Sequence, residues 1–110
     1  MNLKVASTLC GIGLLLSQAV QATTAPSLQQ AYQPFFHIGT AVSLAQLQPS
    51  NRNQRDLIAQ HFNSLTAENL MKWEEIQPTE GNFDFKAADA LIAFAEQHQM
   101  WMVGHTILWH

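Results

Sequence analysis

The chain has 110 residues, a formal net charge of −3 and a single cysteine. This mild acidity argues against nucleic acid and anionic membrane surfaces as partners, because both attract basic proteins. One cysteine excludes a disulfide framework and a cysteine-rich metal site, so a buried apolar core must stabilise the fold.

The first 22 residues have the composition of a secretory signal. A basic start that includes Lys4 precedes a mostly apolar stretch, and the stretch ends in the small residues that a signal peptidase accepts, up to Ala22. A membrane anchor is the alternative, but the apolar stretch is short for a bilayer span and no basic stop follows it. We therefore expect residues 1–22, with Cys10 among them, to be cleaved off after Ala22. The mature protein would be secreted or periplasmic, without a membrane contact.

A polar segment and a first strand follow. Residues 23–34 are small and polar and contain prolines, which indicates a linker or an arm that leads into the fold. Phe35–Val42 is a nearly continuous apolar run, which is typical of a strand buried on both faces of a sheet. The folded domain is therefore expected to begin at residue 35.

A helix and a second strand come next. Gln54–Phe62 has the spacing of an amphipathic helix. Its predicted apolar face carries Leu57, Ile58 and Phe62. Ser64–Ala67 then predicts a short strand that ends in a polar cluster.

The last part of the sequence predicts a loop, a second helix and a third strand. The loop covers residues 74–82 and contains a proline and a glycine, and Asp84 is the candidate N-cap of the helix. The apolar residues of this helix recur at spacings of three and four, and they are Phe85, Ala88, Leu91, Ile92 and Ala95. Met100–Leu108 is a strand candidate that is apolar on both faces.

Strands and amphipathic helices thus alternate along the chain. This order predicts an α/β fold with a parallel sheet. A parallel sheet needs cover on both faces, and no helix follows the third strand. We therefore expect the 110 residues to be the front part of a longer domain.

Polar and aromatic side chains follow the second and third strands. Glu68, Asn69 and Lys72 come just after the second strand, and His105 and Trp109 lie near the end of the third. In parallel α/β folds, ligands bind beyond the carboxyl ends of the strands, and consecutive strands are usually neighbours. A carboxylate, an amide, an ammonium, an imidazole and an indole suit a neutral, hydroxyl-rich ligand such as a sugar.

Other kinds of site fit the sequence less well. A phosphate site is not expected, since there is no glycine-rich loop. No serine stands in the sharp turn that a Ser-His-Asp nucleophile needs. His105 and His110 are five residues apart on a strand, which places them on opposite faces and argues against a metal site. One alternative stays open, in which Glu68 and Lys72 form a surface pair and the neighbouring tryptophans belong to the core.

Four motifs stand out, and they are Phe36-His-Ile-Gly-Thr-Ala41, Thr66-Ala-Glu-Asn-Leu-Met-Lys-Trp73, Gln77-Pro-Thr-Glu-Gly-Asn-Phe-Asp-Phe85 and Gly104-His-Thr-Ile-Leu-Trp-His110. They resemble, in this order, motifs of the family 10 glycoside hydrolases, the endo-1,4-β-xylanases. The second and fourth are the specific ones. The family fold is an eight-stranded (β/α) barrel of about 250 residues or more. The resemblance implies that residues 35–110 hold the first three strands and two helices of an incomplete (β/α)8 TIM barrel.

The resemblance also implies roles for single residues. Glu68, Asn69 and Lys72 are similar to the family's glycone-side contacts, which form hydrogen bonds with xylose hydroxyls. His105 resembles the histidine that contacts the sugar next to the cleaved bond. Trp109 resembles the tryptophan that walls the same subsite.

Neither catalytic residue is expected in this chain. The family retains the anomeric configuration and uses two glutamates, whose carboxyls stand about 5–5.5 Å apart. The resemblance implies that both lie on later strands, and Glu68 is no substitute because it matches a binding position. Trp73 is expected to pack in the interior. The resemblance implies a monomer that binds xylan or xylo-oligosaccharides and uses no cofactor or metal.

The sequence therefore predicts the amino-terminal part of a secreted endo-1,4-β-xylanase, inactive by itself. One alternative is a β-1,4-glucanase or cellobiosidase on the same fold, because one hydroxymethyl group discriminates between such substrates only modestly. The other alternative is a non-catalytic carbohydrate-binding module that is complete at 110 residues.

Overall fold

The structure, a computed structural model, describes residues 25–108. The signal predicted for residues 1–22 lies outside these described residues, as do Trp109 and His110. Two 3-10 turns, Leu44–Leu47 and Pro49–Asn51, follow the first strand. The helices and strands, in chain order, are α1 (Leu28–Tyr32), β1 (Gly39–Val42), α2 (Arg52–His61), β2 (Ser64–Ala67), α3 (Trp73–Ile76), α4 (Lys86–Gln97) and β3 (Trp101–Val103).

The three strands form one parallel sheet in the order β1–β2–β3. This confirms the predicted parallel α/β fold and the side-by-side placement of consecutive strands. β2 has its predicted bounds, whereas β1 begins only at Gly39 and β3 ends at Val103. Both outer strands are shorter than the apolar runs that predicted them, because the central strand has only four residues with which they can pair.

Asn63 joins the three strands at their amino-terminal ends. Its side-chain Oδ1 accepts a hydrogen bond from the backbone N–H of Ile38 at 2.7 Å. Its own backbone N–H donates to the carbonyl of Ile38 at 3.0 Å, and its carbonyl accepts from the N–H of Trp101 at 2.9 Å. The residue before β2 therefore binds the segments that lead into both neighbouring strands.

One face of the sheet packs against the helices. Val42, Leu65 and Ala67 point to this face and are almost fully buried, together with Leu91 of α4. Burial of a side chain as large as Leu65 or Leu91 contributes about 1.5–3 kcal/mol. The core of the described residues thus lies between the sheet and the helices that follow β1 and β2.

The opposite face of the sheet is largely exposed within residues 25–108. Trp101 is 66% exposed there and touches the ring of His37, with 5.3 Å between the ring centroids. Residues 25–108 thus bury β1 and β3 on one face, and the expected burial of the second face would need further parts of the domain. The two connections between parallel strands have the same handedness, so α2 and α4 lie on the same side of the sheet. The exposed face consists of two rows of paired residues, and they are Gly39, Ser64, Trp101 and Ala41, Thr66, Val103.

Helix α2 buries Ile58 and half-buries Phe62 as predicted, but it leaves Leu57 exposed. Ile58 is 4% exposed, but Leu57 is 54% exposed. Adjacent residues lie about 100° apart around a helix, so Leu57 points to the flank when Ile58 points inward. Among the buried and half-buried side chains, Arg55, Ile58, Ala59 and Phe62 follow the spacing of an amphipathic stripe, and His61 is half-buried as well.

Helix α4 starts one residue later than its apolar pattern suggested. Phe85 is the N-cap and is half exposed, so it does not belong to the core stripe. Asp84 caps the first turn from outside the helix, because its Oδ1 accepts a hydrogen bond from the N–H of Lys86 at 3.0 Å. Phe94, which the pattern did not include, is 5% exposed.

Residues 23–34, predicted to be a linker or arm, contain helix α1. Ser27 and Gln30 form a capping box at its start. The Nε2 of Gln29 donates to two carbonyls at the end of α2, at 3.1 and 3.0 Å. This segment is therefore docked on α2, and its five residues are too few for an apolar period in the sequence. No helix within residues 25–108 has the length and apolar character needed to cross a bilayer.

We expect Asn63→Ala to lower the free energy of unfolding of the full-length protein by about 1–3 kcal/mol. The substitution leaves the part-buried N–H of Ile38 without its acceptor. Chemical denaturation measures the loss. Asn63→Asp is the control, because a carboxylate oxygen can accept the same bond. An equal loss in both variants would show that the bond to Ile38 does not stabilise the fold.

Candidate functional site

The residues predicted to bind a ligand lie at the carboxyl edge of the sheet. Glu68 and Asn69 directly follow β2, Lys72 is the N-cap of α3, and His105 comes two residues after β3. Because β2 and β3 are parallel and paired, both stretches leave the sheet at the same edge. The structure thus brings four of the five predicted residues to one edge, while Trp109 is outside the described residues.

Backbone hydrogen bonds hold the chain in place after β2. The N–H of Glu68 donates to the carbonyl of Val42 at 3.1 Å, which extends the ladder one residue beyond the strand. The N–H of Lys72 donates to the carbonyl of Asn69 at 2.8 Å and closes a turn. The side chains of Glu68 and Asn69 are exposed and that of Lys72 is half-buried. A ligand can therefore reach all three side chains while the backbone beneath them is fixed.

Trp73 connects the two strand-end loops. Its indole Nε1–H donates to the carbonyl of Ile107 at 2.9 Å. The loop that it reaches contains a cis peptide bond between His105 and Thr106, and the hydroxyl of Thr106 donates to the carbonyl of Leu108 at 2.8 Å. Trp73 is 55% exposed. The expectation that it packs in the interior is wrong within the described residues, where it bridges the loops instead.

An open groove of about 430 Å³ lies beside this hydrogen bond. The rings of Phe83 and Phe85 are nearly parallel, at 3° with 5.8 Å between centroids. These two rings line the groove but were not predicted as part of the site. Their alternation with Asp84 places them on one side of an extended segment, which was the available signal. The groove is lined by Trp73, His105, Met71, Ile76, Phe83 and Phe85 together with neighbouring backbone.

The chemistry of this edge suits hydrogen bonding to hydroxyl groups. A carboxylate accepts hydrogen bonds, an ammonium donates them and an amide does both. Glu68 is the one acidic residue in the described part of the chain that directly follows a strand. Within residues 25–108 no group of three or more His, Cys, Asp or Glu could hold a metal ion. The edge therefore offers contacts for a ligand but only one strand-end carboxylate.

The comparison with known sequences points to one family. The family model described as Glycosyl hydrolase family 10 matches residues 27–110. Exoglucanase XynX of Acetivibrio thermocellus is 47% identical over 85 residues, which cover 77% of this chain and 8% of that protein. Endo-1,4-beta-xylanase A of Thermoanaerobacterium saccharolyticum is 47% identical over 85 residues, 77% of this chain and 7% of its own length. The chain therefore spans less than a tenth of these two relatives.

Solved structures agree with this result. The intracellular xylanase TsXylA of Thermoanaerobacterium saccharolyticum is 45% identical with a TM-score of 0.73, over 80% of this chain and 27% of that chain. A mutant of TsXylA in complex with xylotriose has the same TM-score of 0.73. The endo-1,4-beta-xylanase of Caldicellulosiruptor owensensis has a TM-score of 0.71 at 42% identity, over 78% and 25% of the two chains. These likenesses confirm an incomplete, amino-terminal part of a (β/α)8 barrel.

We expect Trp73→Phe to lower the free energy of unfolding of the full-length protein by about 0.5–1.5 kcal/mol. The substitution keeps one aromatic ring but removes the N–H that binds Ile107 together with part of the indole. Urea denaturation measures the variant. An unchanged free energy of unfolding would mean that the link between the two loops contributes nothing.

Proposed function

Because the chain belongs to glycosyl hydrolase family 10, we propose that the complete protein is an endo-1,4-β-xylanase. It hydrolyses internal β-1,4-xylosidic bonds of xylan with retention of the anomeric configuration. The observation that carries this proposal is the convergence of Glu68, Asn69, Lys72 and His105 at one sheet edge. Similarity to relatives named endo-1,4-beta-xylanase supports it.

In this proposal the strand-end residues bind the sugars on the glycone side of the cleaved bond. Glu68 accepts hydrogen bonds from xylose hydroxyls, Asn69 accepts and donates, and Lys72 donates. His105 contacts the sugar next to that bond, and Trp109 walls the same subsite. Exposure of the Glu68 and Asn69 side chains supports these roles. The xylotriose complex of a 45% identical xylanase supports a xylo-oligosaccharide ligand.

The two catalytic glutamates are assigned to the rest of the complete barrel. Retaining hydrolysis needs two carboxyls about 5–5.5 Å apart, one as acid and base and one as nucleophile. Among the described residues only Glu68 directly follows a strand, so this part cannot supply the pair at the strand ends. The strand-end residues of this part of the barrel therefore position the substrate, and the reaction needs no cofactor.

The composition of residues 1–22 supports export. We propose that the signal is removed after Ala22 and that the mature protein acts as a monomer, secreted or periplasmic. Export gives the enzyme access to polymeric xylan, which is too large to enter the cell.

A second candidate is a β-1,4-glucanase or cellobiosidase on the same fold. The name of one relative, an exoglucanase 47% identical to this chain, favours it. The two activities differ in whether the glycone-side pocket admits a hydroxymethyl group, and a difference of that size changes specificity only modestly. The non-catalytic binding module is the weaker alternative, because the family model that matches the chain is that of a hydrolase.

We expect the full-length protein to release reducing sugar from soluble xylan and to hydrolyse aryl xylobioside faster than aryl cellobioside. The 110-residue chain should release none, because both catalytic carboxyls are placed outside it. Faster cleavage of the aryl cellobioside would favour the second candidate, a β-1,4-glucanase or cellobiosidase. If the 110-residue chain hydrolyses xylan and Glu68→Gln abolishes this activity, the assignment of both catalytic carboxyls to the rest of the barrel is wrong.

We expect Lys72→Met in the full-length protein to lower kcat/KM on xylan by about 10- to 100-fold, the loss of a charged hydrogen bond to substrate. Methionine keeps most of the apolar stem of the side chain. Lys86→Met is the matched control, because Lys86 is the other lysine of residues 25–108 and does not line the groove beside Trp73. Similar losses in both variants would contradict a substrate contact at Lys72.

A further inference from the structure

A second cavity, of about 360 Å³, lies between α2 and α4. Its volume falls in the range of about 300–1,000 Å³ that small-molecule sites occupy. None of its lining residues belongs to the sheet or to the loops after β2 and β3. Both walls come from helices that the structure describes, so the cavity is formed without any other part of the chain.

Two of the lining residues are arginines, Arg52 and Arg55. In residues 25–108 neither guanidinium has a hydrogen bond or an ion pair with another described residue. The first turn of α2 carries no acidic residue. Cations are unfavourable near a helix amino terminus, so the stability of α2 does not explain these two positions.

An aromatic ring holds one of the arginines in place. The Cζ of Arg55 lies 5.6 Å from the ring centroid of Phe94, and the same ring contacts the imidazole of His98 at 4.5 Å between centroids. Phe94 is 5% exposed, so it forms a fixed floor and not a sugar-stacking surface. A guanidinium above an aromatic face keeps its in-plane N–H donors for other partners.

The cavity also contains a carboxylate, Asp56. Two guanidiniums against one carboxylate leave the lining positive, although the whole chain has a net charge of −3. A planar carboxylate matches the donor fork of a guanidinium and binds it through two hydrogen bonds. A phosphate site is less consistent with this lining, because no glycine-rich loop supplies backbone donors.

We propose that the cavity between α2 and α4 is a secondary binding site for the carboxylate of an acidic sugar, a uronate carried on the polysaccharide substrate. The identification of the ligand as a polysaccharide rests on the proposed function. Contact at a second place on the protein raises the effective concentration of the polymer at the strand-end site. Arg52 and Arg55 bind the carboxylate, and Asp56 limits the affinity.

A matched pair of small probes tests the site without any reaction. D-glucuronate and D-glucose share a ring and differ in the carboxylate. In the full-length protein, D-glucuronate should shift the arginine Nε–H resonances of Arg52 and Arg55, and D-glucose should not. Arg52→Gln with Arg55→Gln should weaken glucuronate binding by about 3- to 10-fold or more, since two exposed charge contacts are lost. Lys86→Gln should leave it unchanged.

Asp56→Asn is expected to change glucuronate binding in the opposite direction to the arginine variants. Removing this carboxylate should tighten glucuronate binding by about 2- to 5-fold. Asp56→Asn still tests the site if the double arginine variant fails to fold. Thermal unfolding shows whether that variant folds. Unchanged or weaker binding in Asp56→Asn would overturn the proposal, as would equal binding of glucuronate and glucose.

Kinetics on a polysaccharide distinguish failure of this proposal from failure of the proposed function. On glucuronoxylan, Arg52→Gln with Arg55→Gln should raise KM by about 3- to 10-fold and leave kcat unchanged. On the same polymer after chemical reduction of its carboxyls, the variant should match the unchanged protein. No hydrolysis of either polymer would contradict the xylanase activity alone, since glucuronate binding is measured separately. If the unchanged protein has the same KM on both polymers, the second site is overturned.

Discussion

The pairing of β2 with a strand on each side is the constraint on which the rest of the structure depends. Asn63 holds the register at the amino-terminal ends, because one residue binds both Ile38 and Trp101. A slip of one residue would turn Leu65 and Ala67 away from the helices and would leave the core without its central strand. The same register makes β2 and β3 leave the sheet at one edge. The site depends on this pairing, because the pairing sets where the two polar loops leave the sheet.

The one-sided burial of the sheet agrees with the barrel fold. The helices after β1 and β2 cover one face, while Trp101 and Val103 remain exposed on the other among the described residues. In a (β/α)8 barrel all helices lie outside, and the inner face of the sheet is filled by side chains from the strands around the ring. The exposed rows are therefore the inner face of this fold. The strand-end residues stand at the rim of that inner face, where barrel enzymes bind their substrates.

The sequence predicted the repeating parts of the fold better than the contacts between them. β2 has its predicted bounds, and α2 and α4 were placed within two residues of their starts, because strands and helices of about three turns impose a readable period. Helices α1 and α3 have five and four residues, too few to show one. Leu57 was assigned to the core because a broad apolar stripe does not say which of two neighbours faces inward. The bond from Trp73 to Ile107 joins residues 34 positions apart, and no local pattern encodes it.

The predicted site followed from topology rather than from the chemistry of any one residue. Parallel strands place their carboxyl ends together, so the sequence alone could assign Lys72 and His105 to one edge. Their roles toward a sugar rest on the family motifs, because a carboxylate, an ammonium and an imidazole alone serve many ligands. This separation has a mechanistic consequence. In the proposed function, contacts on the early strands orient the sugar, whereas bond cleavage requires a carboxyl pair that the described strand ends do not hold. A barrel that divides its work in this way can change its preference among sugars through the early loops without altering the reacting groups.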